Sequence, residues 1–287
     1  KGPGFKEEFK ESLGEYKGRE QHYPKGSYVI IPDNPVLRNT NFTIQAWIYP
    51  TLPKNKLQGI VTKWSNNKGY GLFIDEEGCL TLRIGNESGE ESRLSSNVPL
   101  RPSTWYFVAA SYDGETGKAI LKQEEVTKWP VKDSDIVIES SLEAKNVGEN
   151  DVNLLIGASS GRTESDNTNA TDHYTGKIDG LRIFVRNLNL EEINSLKEII
   201  ISENLRNNIL AEWKFSVGIS SSEITDTSEN KLHGKTVNMP KRGVTGHNWT
   251  GDGVNFNHSK DQYNAIHFHE TDLENAKWEV DFDFTIP

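Results

Sequence analysis

The residues best suited to chemistry lie near the end of the chain. Glu279-Val280-Asp281-Phe282-Asp283 sets three carboxylates at i, i+2 and i+4, and alternate residues of a strand share one face. Glycoside hydrolysis needs two such carboxylates, one as acid and the other as nucleophile or base. A retaining pair stands about 5–5.5 Å apart, whereas i and i+4 on a flat strand are about 13 Å apart. The trio works as a catalytic pair only across a bulge. Otherwise it is a solvated strand face backed by Val280, Phe282 and Phe284. His267 and His269 stand two apart in another strand-like run, with Glu270 adjacent. Two imidazoles so placed can share a metal, although no third ligand is visible, and buried, hydrogen-bonded histidines are the ordinary alternative. Cys79, the sole cysteine, lies in an alternating apolar stretch where a thiol packs as a small hydrophobe. No phosphate-binding Gly-x-Gly-x-x-Gly loop or Walker lysine occurs.

The elements that must position these groups are mostly short strands. Tyr28–Ile31, Phe42–Tyr49, Gly59–Trp64, Tyr70–Asp75 and Leu80–Ile84 alternate or run apolar between turn clusters. Trp105–Asp113, Ala119–Gln123, Leu154–Gly157 and Lys177–Arg186 complete the set. Gly85–Asn97, Lys132–Asp151 and Arg162–Asp172 read as polar loops. Strands at this spacing without intervening helices predict an all-β antiparallel sandwich. One helix is expected from Asn189 to about Asn204, because Asn189 can cap, Glu192 follows three residues on, and Leu190, Ile193, Leu196 and Ile200 recur at helical spacing.

Charge and composition exclude several classes. The 287 residues carry 32 Lys and Arg against 42 Asp and Glu, a net charge of −10. Such a chain repels phosphate backbones, and Lys54, Lys56, Lys63 and Lys68 are followed closely by Asp75, Glu76 and Glu77. Nucleic acid is not an expected partner. No apolar run approaches the roughly 18 residues of a membrane span. A single cysteine fits a reducing compartment, and no leader follows Lys1, so a cytoplasmic location is expected. The sequons at Asn41, Asn86, Asn169 and Asn248 then carry no weight. Phe282–Pro287 reads as a strand broken off, and the chain is taken as an internal piece of a larger protein.

The order of three blocks is more specific. F-T-I-Q-A-W-I-Y-P at Phe42–Pro50, W-Y-F-V-A-A-S-Y-D at Trp105–Asp113 and G-K-I-D-G-L-R-I-F-V-R at Gly176–Arg186 resemble the laminin-G-like, concanavalin A-like sandwich superfamily. That resemblance implies a jelly roll of two antiparallel sheets over residues 25–215, with one short helix after the last core strand. Residues 1–24 become an N-terminal extension, and 216–287 an extension leading into a further domain. The flanks resemble large subunits of bacterial N,N-dimethylformamidases, through Gly2-Pro3-Gly4-Phe5-Lys6-Glu7-Glu8, Trp213-Lys214-Phe215, Val244-Thr245-Gly246-His247-Asn248-Trp249 and Ala265-Ile266-His267-Phe268-His269. In that family amide hydrolysis goes with an iron held by tyrosine and carboxylate side chains. No residue of this chain matches those ligands, so iron is expected only downstream.

The sandwich resemblance also implies a metal. Asp179 stands where laminin-G-like sandwiches often hold calcium, and Asp226-Thr227-Ser228-Glu229-Asn230 is similar to the family's Asp-x-Ser-Gly-Asn loop, with Glu229 in place of glycine. Asp179 and Asp226 are therefore the expected calcium ligands, with a turn-capping role for Asp179 as the alternative. Trp47, Tyr49, Trp64, Trp105, Tyr106 and Trp129 could form a sugar-stacking platform, though in a sandwich most aromatics are packing. The resulting expectation is a non-catalytic structural and assembly domain of a formamidase-like amidohydrolase, contacting other domains or subunits. A carbohydrate-binding lectin-like module is the alternative.

Overall fold

Alternation in Phe42–Pro50 sets the architecture. Ile44, Ala46 and Ile48 point one way, Thr43, Gln45 and Trp47 the other, and all six are buried. A strand covered on both faces lies inside a layered structure. The structure is a computed structural model, and it describes residues 26–126, 135–160, 170–198, 200–238, 240–248 and 253–256.

In chain order the strands begin with β1 (Tyr28–Ile31), β2 (Phe42–Pro50), β3 (Gln58–Ser65), β4 (Lys68–Ile74), β5 (Cys79–Gly85) and β6 (Glu91–Pro99). Next come β7 (Tyr106–Tyr112), β8 (Lys118–Glu125), β9 (Ile136–Ser141), β10 (Leu154–Ile156), β11 (Ser159–Ser160), β12 (Ala170–Thr171) and β13 (Gly176–Phe184). Two short helices follow, α1 (Leu190–Ser195) and α2 (Glu203–Arg206). The chain continues with β14 (Ile209–Lys214), β15 (Glu223–Asp226), β16 (Gly234–Val237), β17 (Lys241–Val244) and β18 (Gly253–Phe256).

The ladder runs β6-β5-β4-β3-β10-β1-β16-β15 in one layer and β14-β13-β2-β7-β8-β9 in the other, linked where β14 pairs with β15. Every named strand pair is antiparallel, and β18, carrying β17, adds to β13. Val29, Ile31, Ile44, Ile48, Leu72 and Leu82 belong to the core between the layers. Burying one such side chain is worth about 1.5–3 kcal/mol, so this interlayer core holds the sandwich together.

A second apolar cluster covers the outer face of the second layer. Trp47, Phe107 and Phe184 project outward and are capped by Leu188, Ile193, Leu196, Ile201 and Leu205. Asn189 accepts a bond from Glu192 N, and Glu192 reaches back to Asn189 N, closing a capping box. Arg186 clasps the same Glu192 with both terminal nitrogens, at 3.0 and 2.6 Å.

Three expectations change. The single helix is two, because the chain turns after Ser195 and Ser202 caps α2 anew. β6 and β9 occupy segments read as loops; they end the ladder and are largely polar or exposed. The boundary at residue 215 falls inside the sandwich, since β15 and β16 pair into the first layer and β18 onto β13. Among the described residues no helix is long and apolar enough to cross a membrane.

Candidate functional site

β13 carries the clearest irregularity. Asp179 stands opposite Trp47 and Arg182 opposite Gln45, so one extra residue is inserted between them. Gly180 absorbs the bulge at φ +53°, and a Cβ there would lie 2.7 Å from the Trp47 ring; only glycine meets both demands. β13 pairs with β18 before the bulge and with β14 after it.

Asp179 is 4% exposed and has a specific partner. Its Oδ2 lies 2.6 Å from His247 Nδ1 and accepts a bond from His247 N at 3.1 Å. The approach depends on Gly246, where a Cβ would sit 2.4 Å from the same oxygen. The imidazole stacks on Trp47, with centroids 4.0 Å apart and planes 12° from parallel, and meets Trp105 edge-on at 6.5 Å. Trp105 in turn touches Tyr49, over whose ring Lys177 Nζ lies at 5.1 Å. A carboxylate on Nδ1 fixes the tautomer and orientation of an imidazole. The arrangement is thus an oriented histidine in an aromatic wall. His247 escapes sequence reasoning because it reaches Asp179 only through long-range strand pairing.

Asp226 belongs to a different network. Its Oδ1 accepts from Glu212 N and Ser228 N, its Oδ2 from Ser228 Oγ and Leu232 N, at 2.7–2.9 Å. Four donors match the roughly four lone-pair directions of a carboxylate, so as folded Asp226 clamps its own loop. The structure does not join Asp179 and Asp226 in one cluster. Among the described residues no three His, Cys, Asp or Glu side chains gather as a metal site. His267, His269, Glu279, Asp281 and Asp283 lie outside the described residues.

The remaining expectations separate. Trp47, Tyr49 and Trp105 come together, but Tyr106 lies in the interlayer core. Trp64 is on the first layer beneath the Arg83 guanidinium, at 4.8 Å, and Trp129 is outside the described residues. Cys79 is buried, and burial with the charges of Asp75 and Glu77 pushes its thiol up. Gly157-Ala158-Ser159-Ser160-Gly161 spells Gly-x-Ser-x-Gly, a pattern that sequence reasoning missed. Ser159 is buried in β11, paired with Thr171 of β12, whereas the serine of a nucleophile elbow stands exposed on a turn.

The concanavalin A-like lectin/glucanases superfamily matches residues 24–194. The chain belongs to that superfamily. Over its whole length it is 35% identical to the N,N-dimethylformamidase beta subunit of Paracoccus aminophilus and 33% identical to that of Alcaligenes sp. The chain spans 40% of the length of these relatives. Among solved structures, a candidate carbohydrate binding protein from Bacteroides ovatus has a TM-score of 0.52 at 18% identity, covering 75% of this chain and 58% of that one. At that identity the likeness shows the superfamily fold alone.

Four buried tyrosines of this concanavalin A-like sandwich, Tyr70, Tyr106, Tyr112 and Tyr174, do not suit the iron that the formamidase resemblance implies. Tyr70 and Tyr174 donate to the carbonyls of Leu37 and Lys177, and burial pushes both phenols up. Tyr112 donates to Ala144 O and is pushed up to about 12 by burial and by Asp113. A phenolate ligand needs the opposite shift. Tyr106 bonds Glu125, which Arg101 already faces at 3.4 Å.

Proposed function

We propose that this chain is the sandwich region of a formamidase-type beta subunit and serves there as a structural and assembly domain. The observation that carries the reading is the 35% identity to a named beta subunit over 100% of the chain, beyond the 24–194 sandwich match. The geometry is in keeping with it. The Asp179–His247 pair is packed against Trp47 and Trp105, and the buried Tyr70, Tyr112 and Tyr174 donate to backbone carbonyls. Hydrolysis of a small amide is the parent's activity in this proposal, carried out elsewhere in the longer protein.

Kinetics on the full-length protein test it. Asp179→Asn and His247→Ala should leave the kcat for dimethylformamide close to wild type in folded, fully assembled enzyme. A fall of about a hundred-fold, the size of a lost general base, would move the chemistry into this region. The half-exposed Tyr49–Trp105 pair supports a second reading, carbohydrate binding. Saturable binding on a glycan array, lost in Trp105→Ala, would favour it.

A further inference from the structure

A cross-strand row on the outer face of the second layer remains partly exposed. Lys241 on β17 stands opposite Asn255 on β18, Asn255 opposite Lys177 on β13, and Lys177 opposite Tyr49 on β2. The Tyr49 ring meets that of Trp105 at 5.4 Å, and Trp105 O accepts a bond from Val126 N just past β8. Directly opposed residues of antiparallel strands project from one face, so the row crosses β17, β18, β13 and β2 square to their direction and continues over the ends of β7 and β8. At about 4.8 Å per strand it is about 24 Å long. Lys241 is exposed, Val126 is 39% exposed, and Lys177, Tyr49 and Trp105 are half-buried. The Asp179–His247 pair stiffens one side, because His247 packs between Trp47 and Trp105.

Charge and shape agree on what this row fits. Among the described residues neither Lys177 nor Lys241 is in an ion pair, in a chain of net charge −10. Two half-buried aromatic rings beside them are the side chains that anchor protein interfaces. We infer that the row is a docking surface for the partner subunit of the parent enzyme. That subunit presents carboxylates to Lys177 and Lys241 and an apolar side chain to Tyr49 and Trp105. The inference rests on the assembly reading above and adds the surface and the chemistry of the partner. A two-fold contact with its axis along the row would set the lysines of a second copy against their own kind; with the axis across the row Lys177 would face Tyr49, and cross-links between two copies mark that outcome.

The test uses the full-length protein co-expressed with its partner subunit. Zero-length carbodiimide cross-linking of the purified complex should join Lys177 or Lys241 to aspartates or glutamates of the partner. Lys177→Glu with Lys241→Glu should weaken partner binding by about ten-fold or more at low salt, with less salt dependence, while melting is unchanged. Cross-links confined to the same chain, or made between two copies, would overturn the inference. So would an acidic oligosaccharide that binds saturably and is lost in Trp105→Ala. If the double variant keeps its partner as tightly as wild type, this surface is wrong and the assembly reading survives. If no partner co-purifies with the wild type, both fail.

Discussion

Asp179 grips His247 twice through one oxygen, at 2.6 Å to the ring nitrogen and 3.1 Å to the backbone nitrogen. The bulge at Gly180 turns β13 at this point, and Trp47 stacks on the captured ring. One carboxylate therefore fixes the segment that leaves β17 and orders the aromatic wall beside it.

The first prediction follows from that coupling. Asp179→Ala and His247→Ala should each cost about 1–3 kcal/mol, since each strips a buried or half-buried polar group of its partner. The double variant should lose less than the sum, by about 0.5–3 kcal/mol of coupling. Urea denaturation followed by tryptophan emission measures both, because His247 lies on Trp47. Additive losses would mean that the two residues act independently.

The legible part of this fold is the part buried on both faces. Phe42–Pro50 and Tyr106–Tyr112 could be read from the sequence because a strand inside a layered sheet must be apolar or alternating throughout. β6 and β9 could not, because an end strand presents residues such as Arg93, Asn97 and Glu139 to solvent and looks like a loop. β15 to β18 have four residues each, too few for a period to show. Of the candidate site, Asp179 stood out through the sandwich resemblance and His247 did not, since nothing local distinguishes it. Asp226 exposes an ambiguity of pattern: Asp-x-Ser also makes an Asx turn, with Ser228 N bonded to Asp226 Oδ1.

Glu212 gives a pH prediction. Burial would raise its pKa, but Arg182, bonded at 2.7 Å, outweighs burial with help from Lys214 and Thr227, and holds the carboxyl at about 2 against an ordinary 4.5. A depressed folded-state pKa means that folding favours the carboxylate. The stabilisation is complete above pH 4.5 and is lost as pH falls towards about 2. Glu124 titrates over the same window through Lys122 and Lys197, so the informative quantity is a difference. Glu212→Gln should lose stability at neutral pH and show a shallower decline between those pH values. Parallel curves for the variant and wild type would remove Glu212 from the account.

Calcium should discriminate between the two aspartates. With four protein donors on Asp226 and both His247 bonds on Asp179 Oδ2, a cation must displace existing bonds to take up Asp226 or that oxygen. Thermal melts with calcium and with chelator should superimpose for wild type, while Asp226→Ala should cost several kcal/mol by orphaning buried donors, at about 1–3 kcal/mol each. A calcium-dependent rise that disappears in Asp179→Asn would instead restore the cation site there.

The last prediction concerns a buried cation. Lys63 is 2% exposed, and its Nζ donates to Asp33 Oδ1 and to Val152 O, each at 2.6 Å. Burial pulls its ammonium below the usual lysine range, with Asp33 opposing that pull. Burial would raise the Asp33 carboxyl, but hydrogen bonds from Arg38 and Lys63 hold it low. Removing the anion should therefore hurt more than removing the pair. Asp33→Ala leaves a buried charge uncompensated, at about 3–5 kcal/mol, whereas replacing both partners by apolar groups is far milder. Chemical denaturation should rank Asp33→Ala below the Asp33→Ala/Lys63→Met double variant, with wild type above Asp33→Ala. A double variant less stable than Asp33→Ala would show that the Lys63 stem and its bond to Val152 matter more than the ion pair.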